Sequence, residues 1–176
     1  LFLDRPLTEI DSDFRAPLIG ILGRYLQRAA GAALIAEDPW LLPYNDFDAR
    51  IALGDSHEST LDYDALRDTN ADEAVPVGGE MLTVSSLCFS YDGISPVLKD
   101  ISLSVNSGEM VLLRGPNGEE KSTLARLITG ILNPENGSIY VDGIDAGSIP
   151  VWKRMTSVGL ALQNPGLHFS QPTVLE

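Results

Sequence analysis

The stretch GPNGEEKST, Gly115 to Thr123, stands between a continuous apolar run, EMVLLRG, and a segment with helical apolar spacing, KSTLARLITGIL. A buried strand that feeds a glycine-bearing loop, which in turn opens a helix, constrains the fold more than any other feature of the chain. It calls for an α/β layer around an anion-sized concavity. In such a loop successive backbone N–H groups and the positive helix end surround phosphate oxygens. Lys121 would reach the terminal phosphates, and Ser122 would offer its hydroxyl to magnesium. The pattern G-x-x-x-x-G-K-[ST], however, has glycine where this chain has Glu120. A carboxylate about 4 Å from one phosphate charge costs roughly 4 kcal/mol at an effective dielectric of 20, against about 8 kcal/mol for the whole of a micromolar affinity. The loop by itself leaves two readings open: a nucleotide site, and a P-loop fold without a working one.

The other elements agree with an α/β layer. LFLD reads as a short buried strand. From Asp11 and Ser12, either able to cap, Phe14, Leu18, Leu22, Tyr25 and Leu26 recur at helical spacing, predicting one core-facing stripe on a helix that ends near Gly31. AALIA and ARIAL follow as strands, with DPWLLPY between them as a turn or short helix, and strand–helix–strand order implies parallel pairing. Residues 55–80 are acidic and poor in apolar residues, a linker composition. After them, MLTVSSLCFSY and VLKDISLSV form an antiparallel pair ahead of EMVLLRG. The helix after the loop places Leu124, Leu127, Ile128 and Ile131 on one face. NPENG is a turn, SIYVDG a strand, VWKRM helical and SVGLALQ another strand. Trp40 and Trp152 read as packing residues.

Charge and cysteine content narrow the function classes. A formal net charge of −13 over 176 residues argues against general affinity for nucleic acid or anionic lipid. Cys88 is the only cysteine, so no internal disulfide forms; it reads as a small core residue in a reducing compartment. The most apolar window, APLIGILGRYLQRAAGAALIA, is interrupted by Arg24, Gln27 and Arg28, so no transmembrane span is expected. His57 and His168 are too isolated to propose as a metal site. The chain opens at Leu1 inside a strand pattern, which reads as a cut beginning.

With FSYDG before the loop and LALQNP after it, the second segment resembles the ATP-binding subunits of ABC transporters. The resemblance implies that Tyr91 stacks on adenine. It makes Gly115, Pro116, Asn117, Gly118, Glu119, Glu120, Lys121, Ser122 and Thr123 the Walker A loop, and Gln163 the Q-loop glutamine, which joins Ser122 at the metal and takes part in catalysis. The ending QNPGLHFSQPTVLE looks like the Q-loop of the energy-coupling-factor group, which serves vitamin and transition-metal uptake; His168 stands where that group usually has glutamine.

The first segment resembles the other end of such a domain. LFLDRPLTEID is similar to a Walker B strand and D-loop, with Asp4 holding magnesium through water and Asp11 as the D-loop aspartate. Arg5 occupies the position of the catalytic glutamate, and in LIAEDPW Glu37 occupies that of the switch histidine. Arginine is not deprotonated at working pH, and a glutamate brings negative charge toward the γ-phosphate where an imidazole would donate.

In a complete domain of that family the phosphate loop precedes Walker B, with an LSGGQ-type signature between them. Here the order is reversed and no signature is present. The expectation is the C-terminal part of one ABC ATPase domain (1–54), an acidic linker (55–80) and the N-terminal part of the next (81–176). The implied fold class is α/β, a P-loop NTPase core of the ABC ATPase type with a parallel sheet and an antiparallel β subdomain. The halves either belong to separate domains or complement each other as a circularly permuted, incomplete core. The strand edges and apolar helix faces that separation would expose favour the second. In that arrangement the strand ending at Asp4 is expected beside the strand entering Gly115. The resemblance further implies ATP and Mg2+ as cofactors, and membrane-embedded transporter subunits and a second ATPase domain as partners. It places the protein in the cytoplasm, peripheral to the membrane, powering substrate uptake. The alternative is a catalytically inactive pseudo-ATPase, supported by Glu120, Arg5 and Glu37; a P-loop kinase is disfavoured by the combined FSYDG, GPNG and LALQNP spacing.

Overall fold

The computed structural model describes residues 1–7, 10–29, 31–36, 47, 49–53, 79–114 and 120–161. In chain order the elements are β1 (Phe2–Asp4), α1 (Ser12–Ala29), β2 (Ala33–Ala36), β3 (Ala49–Ala52), β4 (Glu80–Ser90), β5 (Pro96–Asn106), β6 (Met110–Arg114), α2 (Glu120–Thr129), β7 (Asn136–Val141), β8 (Ile144–Asp145), a 3-10 turn (Ala146–Ser148), α3 (Val151–Arg154) and β9 (Leu160–Ala161).

The short apolar runs assemble into a five-stranded sheet of order β3-β6-β2-β1-β9, every pair parallel. Strands from both ends of the sequence interleave in it, since β6 lies between β2 and β3 while β9 flanks β1. Contrary to the expectation of adjacency, β2 separates β1 from β6. The physical reason is burial: all four residues of β2 are buried, so it can carry a neighbour on each edge and a layer on each face. Period-two alternation then sorts the side chains. Leu34, Ala36, Val111 and Leu113 join one core, while Ala33, Ile35, Met110 and Leu112 join another with Ile19 and Leu26 of α1.

On the first face lie α2 and a four-stranded antiparallel sheet of order β5-β4-β7-β8. Val84, Leu87, Phe89, Leu98, Leu103, Val105 and Ile139 of that sheet share a core with Leu124, Leu127 and Ile128 of α2. A register irregularity in β4 between Val84 and Leu87 includes Ser86 at φ 47, and Gly137 of β7 sits against it. A Cβ on Gly137 would lie 2.5 Å from the Ser86 carbonyl oxygen, so the close approach of the two backbones requires glycine.

Four expectations about packing are corrected. On α1 the buried side is Ile19 and Leu26 with half-buried Leu22, whereas Phe14, Leu18 and Tyr25 are exposed, because the helix lays a different stripe on the sheet. Ile131 leaves the α2 face because the helix stops at Thr129 and Gly130 turns the chain at φ 85. Trp152 is 73% exposed: α3 is a single turn, and the side chain it turns inward is Arg154. Cys88 is half-buried, its Sγ accepting from the Asp100 N–H at 3.3 Å, so it is not a closed core position.

Candidate nucleotide site

Because the five strands run parallel, β1, β2, β6 and β9 all finish on one edge of the sheet, at Asp4, Ala36, Arg114 and Ala161. The carboxyl edge of an open α/β sheet is where such folds bind ligands, since helix N-termini and loop amides collect there. Beyond β6, α2 opens at Glu120 on that edge. Its first turn is packed by sequence pattern: Lys121, Thr123, Leu124 and Ala125 are all buried, which fixes the direction of the helix end.

Asp4 and Ser122, 118 residues apart in sequence, meet here. The Ser122 Oγ donates to Asp4 Oδ2 at 2.6 Å, and Asp4 is only 5% exposed. A buried carboxylate needs such a partner, and a short hydroxyl–carboxylate bond supplies it. Both groups present oxygen, the donor type that Mg2+ takes while retaining waters, so the pair fits that ion. Beside them Lys121 is 3% exposed, a placement that a cation adopts only with its charge compensated.

Tyr91 follows β4 and reaches across to α2. Its hydroxyl shares a 2.8 Å hydrogen bond with Thr123 Oγ1 and accepts from Arg126 Nη1 at 3.3 Å. Phe89 braces the ring edge-on, with centroids 5.0 Å apart and planes at 86°, which leaves Tyr91 49% exposed. Sequence reasoning singles out Tyr91 and Thr123 but misses Arg126; its position three residues after Thr123, on the same side of a helix, is the available signal. Glu120 is the first residue of α2, half-buried, where the helix dipole favours its charge in place of a phosphate's. Arg5 adds one ladder bond beyond β1, its N–H donating to the Ala36 carbonyl at 2.7 Å. It then adopts φ 49, a conformation that costs a non-glycine residue about 1 kcal/mol.

The structure therefore joins Ser122 to Asp4 and Thr123 to Tyr91, with Glu120 and the buried Lys121 in the same first turn of α2. Glu37, Gly115, Pro116, Asn117, Gly118, Glu119 and Gln163 lie outside the described residues, although the strands leading to them end on this edge.

A parallel sheet whose strand β6 leads toward the N-terminus of α2, with an antiparallel sheet on one face, is an ABC-ATPase-like α/β fold. Residues 98–176 match the ABC transporter family. Over 96 residues the chain is 42% identical to an ABC transporter ATP-binding protein of Photobacterium profundum, covering 54% of this chain and 17% of that protein. Over 101 residues it is 39% identical to an ABC transporter ATP-binding protein of Bacillus anthracis, covering 57% of this chain and 18% of that one. Among solved structures it is similar to cbiO1 from Clostridium perfringens, part of the ABC transporter complex cbiONQ, at 31% identity and a TM-score of 0.43, over 46% of this chain and 33% of that chain. The chain spans less than a fifth of the length of these curated relatives. Among the described residues no helix is long and apolar enough to cross a membrane.

Proposed function

We propose that this chain is part of the ATP-binding component of an ABC transporter, and that its two ends build one Mg·ATP site as a circularly permuted core. The observation that carries the reading is the Ser122–Asp4 hydrogen bond at 2.6 Å: the hydroxyl and carboxylate expected to serve magnesium come from opposite ends of the sequence and are in contact. In this reading Lys121 and the α2 amides would neutralise phosphate, and Ser122 and Asp4 would hold Mg2+. Tyr91 offers its exposed ring to the adenine. Mg2+, when bound, would neutralise charge on the phosphates. The ending QNPGLHFSQPTVLE supports vitamin or transition-metal uptake as the parent function, with membrane subunits and a second ATPase domain as partners.

Three positions speak for binding without efficient turnover. Glu120 competes with phosphate at the helix end, Arg5 is no general base, and Glu37 brings charge of the wrong sign. The test is titration with a fluorescent ATP analogue and Mg2+. Weak binding is expected for the native chain, and Glu120→Gly is expected to tighten it by between about tenfold and about a thousandfold, the upper bound being one phosphate repulsion of roughly 4 kcal/mol. Hydrolysis is expected to stay absent in both. Lack of binding in both proteins would overturn the nucleotide reading and leave a pseudo-ATPase.

A further inference from the structure

Tyr91 is the first residue past β4 and opens an exposed turn, residues 91–95, in which Gly93 takes φ 71. An exposed turn does not by itself fix a side chain, so the direction of the ring is set by what it touches elsewhere. Phe89 meets the ring at 86° with centroids 5.0 Å apart, and the hydroxyl meets Thr123 Oγ1 at 2.8 Å and Arg126 Nη1 at 3.3 Å. A guanidinium only donates, so the Tyr91 oxygen accepts from Arg126 and its own proton is left for Thr123. Side chains on a helix lean toward its N-terminus, which carries the Arg126 guanidinium from the last turn of α2 back over Thr123. The helix dipole accounts for a cation in that turn, but not for one whose donor is used on a tyrosine hydroxyl.

We infer that Arg126 is a positioning residue for the nucleotide base, a role that rests on the nucleotide reading above: by holding the Tyr91 hydroxyl it fixes the ring as a platform, and it acts through Tyr91 without touching the ligand. Stacking on an aromatic ring contributes between about fivefold and about 150-fold in affinity per base. That gain is largest when the ring is already held, because a free side chain would lose its rotamer freedom on binding, a cost of about two- to tenfold in affinity. Arg126 therefore bears on the base-dependent part of the affinity, whereas Lys121 and Ser122 bear on the part due to phosphate and metal.

The test is displacement of a fluorescent ATP analogue from the full chain carrying Glu120→Gly, by Mg·ATP and by Mg·tripolyphosphate, which has the phosphates and no base. The quantity read is the ratio of the two affinities, which cancels a loss of positive charge felt by both ligands. Tyr91→Ala should collapse the ratio by the full stacking contribution, and Arg126→Met should lower it by about two- to tenfold. Arg126→Lys, which keeps a donor and the charge, should recover most of that loss. Tyr91→Phe keeps the ring without the hydroxyl; it should lower the ratio at least as much as Arg126→Met, and adding Arg126→Met to it should lower the ratio no further. An unchanged ratio in Arg126→Met or Tyr91→Phe, or losses that add in the double variant, would overturn the inference and leave the nucleotide reading in place. A chain that binds neither ligand would overturn the nucleotide reading and the inference with it.

Discussion

At the scale of single residues, Arg154 shows how a buried charge can hold two elements together. Its Nη1 donates to the Leu127 carbonyl at 3.3 Å and the Ile128 carbonyl at 3.5 Å, and its Nη2 to the Ala146 carbonyl, so it satisfies the C-terminal end of α2 and the 3-10 turn at once. Burial lowers its pKa below the ordinary arginine value, with Asp145 acting in the opposite direction. A positive charge at a helix C-terminus is also the favourable sign for the dipole. Arg154→Ala should cost about 2–4 kcal/mol in denaturant unfolding, because three buried carbonyls lose a charged donor. Arg154→Lys should recover only part of that, since an ammonium lacks the planar fork. Full stability in Arg154→Ala would mean that the guanidinium contributes nothing net. The contact also explains Gly130: a Cβ there would come within 2.6 Å of Arg154 Nη1, and its φ of 85 already favours glycine.

At the scale of elements, the irregular crossing of β4 and β7 is the most sequence-sensitive joint. Gly137→Ala places a Cβ against the Ser86 and Ser85 carbonyls at φ 90, so it should destabilise by about 2 kcal/mol or more and loosen amide-exchange protection in β4 and β7 before that of β6. Uniform loss of protection across both sheets would contradict a local origin. The strands themselves were legible: LFLD, AALIA, ARIAL, EMVLLRG and SVGLALQ are continuous or nearly continuous apolar runs, and each supplies a strand of the parallel sheet. The facing of α1 was not. Phe14, Leu18 and Tyr25 have the same helical spacing as Leu22 and Leu26, and periodicity alone does not say which of two adjacent apolar stripes meets the sheet. Trp152 departs from expectation for a related reason. Hydrophobicity argues for packing, whereas a one-turn helix has a single inward position, taken by Arg154 because three carbonyls there need a donor. The Ser122–Asp4 and Tyr91–Thr123 hydrogen bonds join residues that the sequence singles out, because their motifs specify residue type and spacing. The strand order was not, because β2 entering between β1 and β6 depends on burial of both its faces, which only the assembled core decides.

At the scale of the whole molecule, the two ends of the sequence form one sheet that neither completes alone. Without β2 and β3, β6 would lose both of its neighbours, and Val111, Leu112 and Leu113, each at most 1% exposed, would meet water. Cleavage at a protease site engineered within residues 54–78 should therefore leave the two fragments bound to each other through size-exclusion chromatography. Separation under native conditions would show that the interleaved sheet does not hold them. The Ser122–Asp4 contact at the proposed site depends on the same interleaving, because Asp4 arrives on β1 and Ser122 on α2. The most direct measurement is paramagnetic relaxation by Mn2+ with ATP, read on the backbone amides of the Glu120→Gly chain. Broadening of both the Phe2–Asp4 and the Lys121–Thr123 amides is the expected result, with both groups less affected once Asp4→Asn is added, because the ion is then bound more weakly. Broadening confined to α2, with β1 untouched in the Asp4-bearing chain, would contradict a single metal site shared by the two ends.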